Sequence, residues 1–329
     1  MSEPMTTRQR VILAAGMALI TTVGATVYTL IARSRDTAVA ASAGVSIAAG
    51  PRIAFVSTVA GSKGRLATVA AAAPAGPRLV SPVSCNRVYA AAGVGICLRQ
   101  DGALATYQMA ALDDTLHVTQ TLPLVGLPNR ARVSPDGRML AWTVFVTGDS
   151  YNGGVFSTRA GIEDTFTGDI IDMEDFAVTL DGEPYRAVDE NFWGVTFARD
   201  SNTFYATMST RGRRYLVRGD IALRTVTTIR PGVECPSLSP DGTRIAFKQA
   251  IGGNPKNGWH LAVLDLATGA VTVLAETRSV DDQAAWLSDA EIGYGRPRGT
   301  GGSDVWMVPA DGSGRPRLLI PDAMSPAAL

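Results

Sequence analysis

The strongest constraint on this chain is a phrase that occurs twice: Ser134-Pro135-Asp136-Gly137 and Ser239-Pro240-Asp241-Gly242, each running into an apolar stretch. The proline presets the first corner of a tight turn. The Ser and Asp side chains bond the turn's own backbone, and the glycine accepts positive φ. After the second copy, Ile245 and Phe247 alternate with smaller or polar neighbours, the period of a strand. The run Cys235-Pro236-Ser237-Leu238 before it reads as a shorter inner strand. Degraded copies stand at 196–205, around Asp200, and at 285–294, around Asp289.

The spacing predicts units of strand, turn, strand, loop, strand, turn, strand. They recur at roughly 40–50 residues, the period of propeller blades. Six such units are expected between residues 51 and 329, an all-β six-bladed propeller. The first begins at Pro51-Arg52-Ile53-Ala54-Phe55 with no inner strand before it. The run Ala323-Met324-Ser325-Pro326 resembles Pro236-Ser237-Leu238-Ser239-Pro240, so the last residues are expected to supply that strand and close the ring. The second unit turns at 93–95, the third carries a long excursion at 147–154, and the later outer hairpins turn at Thr268-Gly269 and Asp311-Gly312.

The Ser-Pro-Asp-Gly phrase, the buried strand behind it and the Thr-Gly outer turn resemble the repeats of TolB-type propellers over about 51–329. They also resemble the propellers of prolyl-oligopeptidase-type enzymes. TolB carries a small α/β domain before its propeller, and residues 1–50 do not suffice for one. The resemblance implies a membrane-anchored, stand-alone TolB-like propeller with a cell-envelope role. It does not by itself imply a Tol–Pal role, because fold does not confer function.

The anchor is read from the amino end. Residues 1–10 form a polar tail and 11–32 are 22 residues without a charge. That is enough to cross a bilayer, which takes about 20, and longer than the ~7–15 of a signal-peptide core. The reading is one transmembrane helix, or an uncleaved signal, with the amino end cytoplasmic and the bulk outside. Cleavage after the small-x-small run Ala38-Val39-Ala40 is the alternative. Residues 33–50 are small and mostly uncharged, and read as a flexible linker. The expected location is the plasma membrane, with a single pass, lipid bilayer contact through that helix, and the propeller on the extracytoplasmic side.

Net charge is zero, so no global field argues for nucleic acid. The chain has two histidines, His117 and His260, neither in a nucleophile or metal pattern. Asp136 and Asp241 read as turn residues rather than catalytic carboxylates, since both sit at the same place in the repeat. No catalytic residue, cofactor or metal ligand is assigned. Cys85 and Cys97 flank the second unit's first hairpin and are disulfide candidates in an exported domain, with two buried thiols as the alternative; Cys235 is then an odd buried thiol. The acidic run Glu163, Asp164, Asp169, Asp172, Glu174, Asp175 reads as a solvated edge.

Loops joining second to third strands share one face of the disc with the connections between blades. They carry Tyr151, Arg186, Trp193, Arg211, Arg213, Arg214, Arg296 and Arg298, residue types that favour a protein interface. The expected function is a non-catalytic, extracytoplasmic interaction scaffold for envelope proteins. The alternative is a small-ligand, carbohydrate or hydrolytic site in the central channel.

Overall fold

The computed structural model describes residues 44–102, 106–146, 157–299 and 301–329, with a few helical positions between 7 and 23. The anchor reading over 11–32 falls mostly outside these. Among the described residues no helix is long and apolar enough to cross a membrane. The excursion at 147–154, with Tyr151, also lies outside them.

Six antiparallel blades surround an axis. From the inside outward, blade 2 is Arg87–Ala91, Val94–Asp101, Thr106–Leu112 and Val118–Leu124. Blade 3 is Leu127–Val133, Met139–Val146, Ser157–Asp164 and Ile170–Asp172. Blade 4 is built on Asn191–Phe197, Thr203–Thr210, Arg213–Asp220 and Thr225–Pro231. Blade 5 is Glu234–Leu238, Arg244–Ala250, Trp259–Asp265 and Val271–Val273, and blade 6 is Ala285–Trp286, Glu291–Pro297, Ser303–Pro309 and Arg317–Ile320. In blade 1 the inner strand is the carboxyl-terminal Ala323–Ala328. It pairs with Arg52–Ser57 in the register Ile53 with Ala328 and Ser57 with Ala323. Arg65–Ala70 and Leu79–Ser84 complete the blade. The predicted ring closure is what the structure shows.

Each blade presents apolar side chains on both faces, so the core is six layers, one between each pair of neighbours. Between blades 2 and 3, for example, Ile96, Leu98 and Met109 meet Leu140, Trp142 and Val144. Between blades 4 and 5, Leu216 meets Ile245 and Phe247. The connections alternate between faces. Second-to-third-strand loops and inter-blade connections form what we term the loop face. First-to-second and third-to-fourth turns form the turn face.

The repeated turns are built alike. Ser134 Oγ donates to Asp136 Oδ1 at 2.5 Å and accepts from the Met139 amide at 2.8 Å. Ser239 Oγ donates to Asp241 Oδ1 at 2.5 Å and accepts from the Arg244 amide at 3.0 Å. The bonds from Ser239 and the Thr243 amide hold the Asp241 carboxyl far below its usual range. Gly137 and Gly242 adopt φ of 81° and 75°, which a side chain would strain.

Three parts depart from the sequence reading. The connection from blade 3 to blade 4 is no plain loop. Its Ala177–Leu180 strand pairs in parallel with Thr225–Pro231, and Glu183–Tyr185 pairs with it in turn, making blade 4 six-stranded. Met173, Phe176 and Val178 draw it in, Phe176 meeting Phe204 edge-on at 5.5 Å. The end of the 33–50 linker is packed rather than free: Val45 and Ile47 are buried between blades 1 and 2, and the Ile47 amide donates to Asp114 O at 3.0 Å. The arm then crosses the turn face to Arg52. Third, the acidic run is not uniformly solvated. Asp169, Asp172, Glu174 and Asp175 are exposed, but Asp164 is buried under a bidentate Arg138.

Glu163 is fully buried between blades 2 and 3, and neither carboxylate oxygen has hydrogen-bond geometry to a partner. Burial pushes its carboxyl above the usual range, offset in part by Gln120. An acid raised in the fold costs stability once pH exceeds its unfolded value, near 4.3, and costs nothing when both states are protonated. Glu163→Gln is therefore expected to stabilise the protein by about 1–2 kcal/mol at neutral pH. Denaturant melts at two pH values check this: the gain should vanish near pH 4, and a pH-independent difference would refute the assignment.

Candidate functional site

On the inner strands of blades 2 and 3 the sequence places charge at the axis, in Arg87, Arg130 and Arg132. The segment Asp281-Asp282-Gln283, in the connection from blade 5 to blade 6, crosses the channel at the loop face. Asp281 Oδ1 accepts from Lys248 Nζ at 2.6 Å and from Arg130 Nη2 at 3.5 Å. Asp282 Oδ1 accepts from Arg87 Nη1 at 3.0 Å, and its Oδ2 from the Gly295 amide at 2.8 Å. Gln283 Nε2 donates to Val195 O at 3.1 Å and Pro236 O at 2.9 Å. Arg132 donates to Ala284 O at 3.1 Å and lies over the Tyr89 ring at 4.2 Å. Three consecutive residues thereby reach blades 2, 3, 4, 5 and 6.

The cavity left among these side chains is about 20 Å³, room for a single water. The Asp281 side chain is 60 % exposed at the channel mouth, while that of Lys248 beneath it is 4 % exposed. Burial opposes ionisation of Asp281, but Lys248, Arg130 and Arg87 outweigh it and hold its carboxyl below the usual range. Lys248 also lies 4.3 Å from the Trp259 ring centre, and Trp259 Nε1 donates to Glu234 Oε1 at 3.1 Å.

Around the mouth the structure gathers some of the expected interface residues and not others. Arg211 lies over the Tyr185 ring at 4.9 Å, and its amide donates to Asp189 Oδ2 at 2.6 Å. Arg213 is exposed, over Tyr215 at 5.5 Å. Arg186 is exposed and donates to Glu174 O at 2.6 Å. Arg211 and Arg213 thus stand on the blade 4 hairpin, and Arg186 follows Tyr185, on whose ring Arg211 rests. Arg214 turns inward to Glu234, at 3.1 Å. Arg296 and Arg298 stand apart on blade 6. Arg296 is half-buried, and Arg298 pairs with Asp304 at 3.4 Å and with Asp322. Trp193 is corrected outright: on the inner strand of blade 4 it is 4 % exposed, a core residue. The Cys85 and Cys97 sulfurs are bonded, with Cα atoms 5.4 Å apart, and Cys235 is a buried free thiol.

The channel cluster escaped the sequence reading. Its signal was present as charge on inner strands: Arg87, Arg130 and Arg132. Only the ring geometry brings these residues to Asp281 and Asp282.

Comparison with known proteins follows the fold. No family model matches the chain. Over 140 residues it is 31 % identical to the protein TolB homolog of Chlorobium luteolum, covering 42 % of this chain and 26 % of that protein. TolB from Acinetobacter baumannii superposes with a TM-score of 0.59 at 19 % identity, covering 84 % of this chain and 66 % of that one. A putative TolB from Agrobacterium tumefaciens gives 0.52 at 11 % identity, over 82 % and 88 %. A chain of a nidogen/laminin complex gives 0.55 at 11 % identity, over 85 % and 99 %.

Asp281→Asn is expected to cost about 1–3 kcal/mol at neutral pH, since it leaves buried Lys248 without its counter-ion at a partly solvated site. A carboxyl lowered in the fold contributes stability above its unfolded value, near 3.9, and loses it as pH falls through its folded value. Chemical denaturation at neutral pH and near pH 3 checks this: the deficit should shrink at the lower pH, and an equal deficit at both would overturn the ion-pair account.

Proposed function

We propose that this TolB-like six-bladed propeller works in the cell envelope as a non-catalytic scaffold that presents its loop face to a protein partner. In this reading residues 11–32 hold it as a single-pass anchor in the plasma membrane, with 1–10 cytoplasmic and the propeller on the extracytoplasmic side. The likeness to TolB supports the envelope role. A propeller chain within the nidogen/laminin complex supports protein binding as a use of the fold.

One observation carries the proposal. Among the described residues the arm at 44–50 lies against blades 1 and 2, on their side and turn face, and the blade 4 part of the loop face is clear of it. On that free face stand exposed Arg211, Arg213 and Arg186, with Tyr185 beside them, held by a six-stranded blade. Arg and Tyr on a rigid support lose little entropy on docking, which suits an interface. For the other reading, a ligand or hydrolytic site within the channel, the cavity between Arg87, Arg130, Arg132 and Asp282 measures about 20 Å³, far below the ~300 Å³ of small-molecule sites.

Crosslinking in intact cells, with partners identified by mass spectrometry, tests this. The full chain should capture a defined envelope protein, and the Arg211→Ser, Arg213→Ser double variant should lower its recovery at least about ten-fold. No specific partner, or equal recovery from a folded variant, would refute the loop-face assignment.

A further inference from the structure

A second concave site lies away from the channel, in the groove between blades 1 and 2. Its volume is about 590 Å³, within the roughly 300–1,000 Å³ of small-molecule sites. We propose that this groove binds a ligand through a phosphate group.

The charge lining the groove is of one sign. Lys63 and Arg65 come from blade 1, and Arg99 from blade 2; no carboxylate lines it. Several cations elsewhere have a carboxylate partner: Arg87 with Asp282, Arg138 with Asp164, Arg278 with Glu276 and Arg298 with Asp322. Among the described residues Lys63, Arg65 and Arg99 make no such pair. Arg65 meets only a carbonyl, Pro82 O at 3.3 Å. Arg99 Nε is buried without an acceptor, a donor that a bound anion would satisfy. The nearest acids are engaged elsewhere: Asp113 accepts from Thr115 and from the His117 amide, and Asp101 from Gln108.

The groove is also held in shape. Cys85 lies in its wall and is bonded to Cys97 on blade 2, and the Cys85 amide donates to Gly64 O at 2.7 Å. The disulfide therefore fixes the Lys63 and Arg65 turn against the strand that carries Arg99. Two guanidiniums and an ammonium from opposite walls, in a groove that Ser81 and Ser84 also line, match a multiply charged anion with several acceptor oxygens better than a lone carboxylate. A soluble phosphate ester and a phospholipid headgroup both offer that chemistry.

Calorimetric titration of the full chain in detergent tests the proposal, with inorganic phosphate, glycerol phosphate and a short-chain phosphatidic acid as probes. Saturable binding should appear, and Arg99→Gln should weaken it at least about ten-fold. Lys63→Gln, on an exposed loop, should weaken it in the same direction without a risk to folding, while Arg218→Ser on blade 4 should leave it unchanged. Tighter binding of the acylated probe identifies a lipid headgroup, and equal binding a soluble ester; both support the site. Absence of saturable binding below about 10 mM, or equal affinities in wild type and both groove variants, would overturn it.

Discussion

The ring is organised by the reach of Asp281, Asp282 and Gln283 across the axis. A propeller's apolar layers lie between neighbouring blades, and each layer joins only two of them. Nothing in that arrangement fixes the ring as a whole. The crossing segment does, because the ion pairs of Asp281 and Asp282 and the amide of Gln283 end on five different blades. Charges can stand so close to the axis because the buried ones are answered: Lys248 and Arg130 by Asp281, Arg87 by Asp282, and Arg132 by the Ala284 carbonyl and the Tyr89 ring. Such a network is sensitive to the loss of any member, since the partner then remains in a poorly solvated place.

The same logic separates structure from recognition on the two faces. On the turn face the repeated Ser and Asp side chains spend their bonds on their own turns. On the loop face the polar groups divide. Arg214 and Arg298 are consumed by internal pairs, while Arg211 and Arg213 rest on tyrosine rings and remain exposed. Stacking orders a guanidinium without neutralising it, which leaves its charge for another molecule.

Much of the fold was legible in the sequence because its signals are local. Ser-Pro-Asp-Gly marks a turn wherever it stands, and the likeness of Ala323-Met324-Ser325-Pro326 to an inner strand reveals the closing strand. The site was less legible because its determinants are relational. Trp193 looked like an interface aromatic but follows strand alternation into the core, and Glu163 looked like a surface acid but faces the neighbouring blade. The extra strand Ala177–Leu180 has little alternation to announce it; Phe176 and Val178 docking on blade 4 decide its place. Lys63 and Arg65 stand at one loop of blade 1 and Arg99 on blade 2, and they line one groove only because those blades are adjacent in the ring.

The ring's two fastenings both come late in the chain. The crossing segment begins at residue 281, and the inner strand of blade 1 is Ala323–Ala328. A chain emerging from its amino end can pair strands within blades 2 to 5, but the axis stays unbridged until residues 281–283 arrive and blade 1 stays three-stranded until Ala323–Ala328 follow. The pairing of residues 53 and 328 spans most of the sequence, and such contacts are slow to form. Order of synthesis thus acts as a timer: the ring remains an open array until the strand Ala323–Ala328 has been made and can pair with Arg52–Ser57.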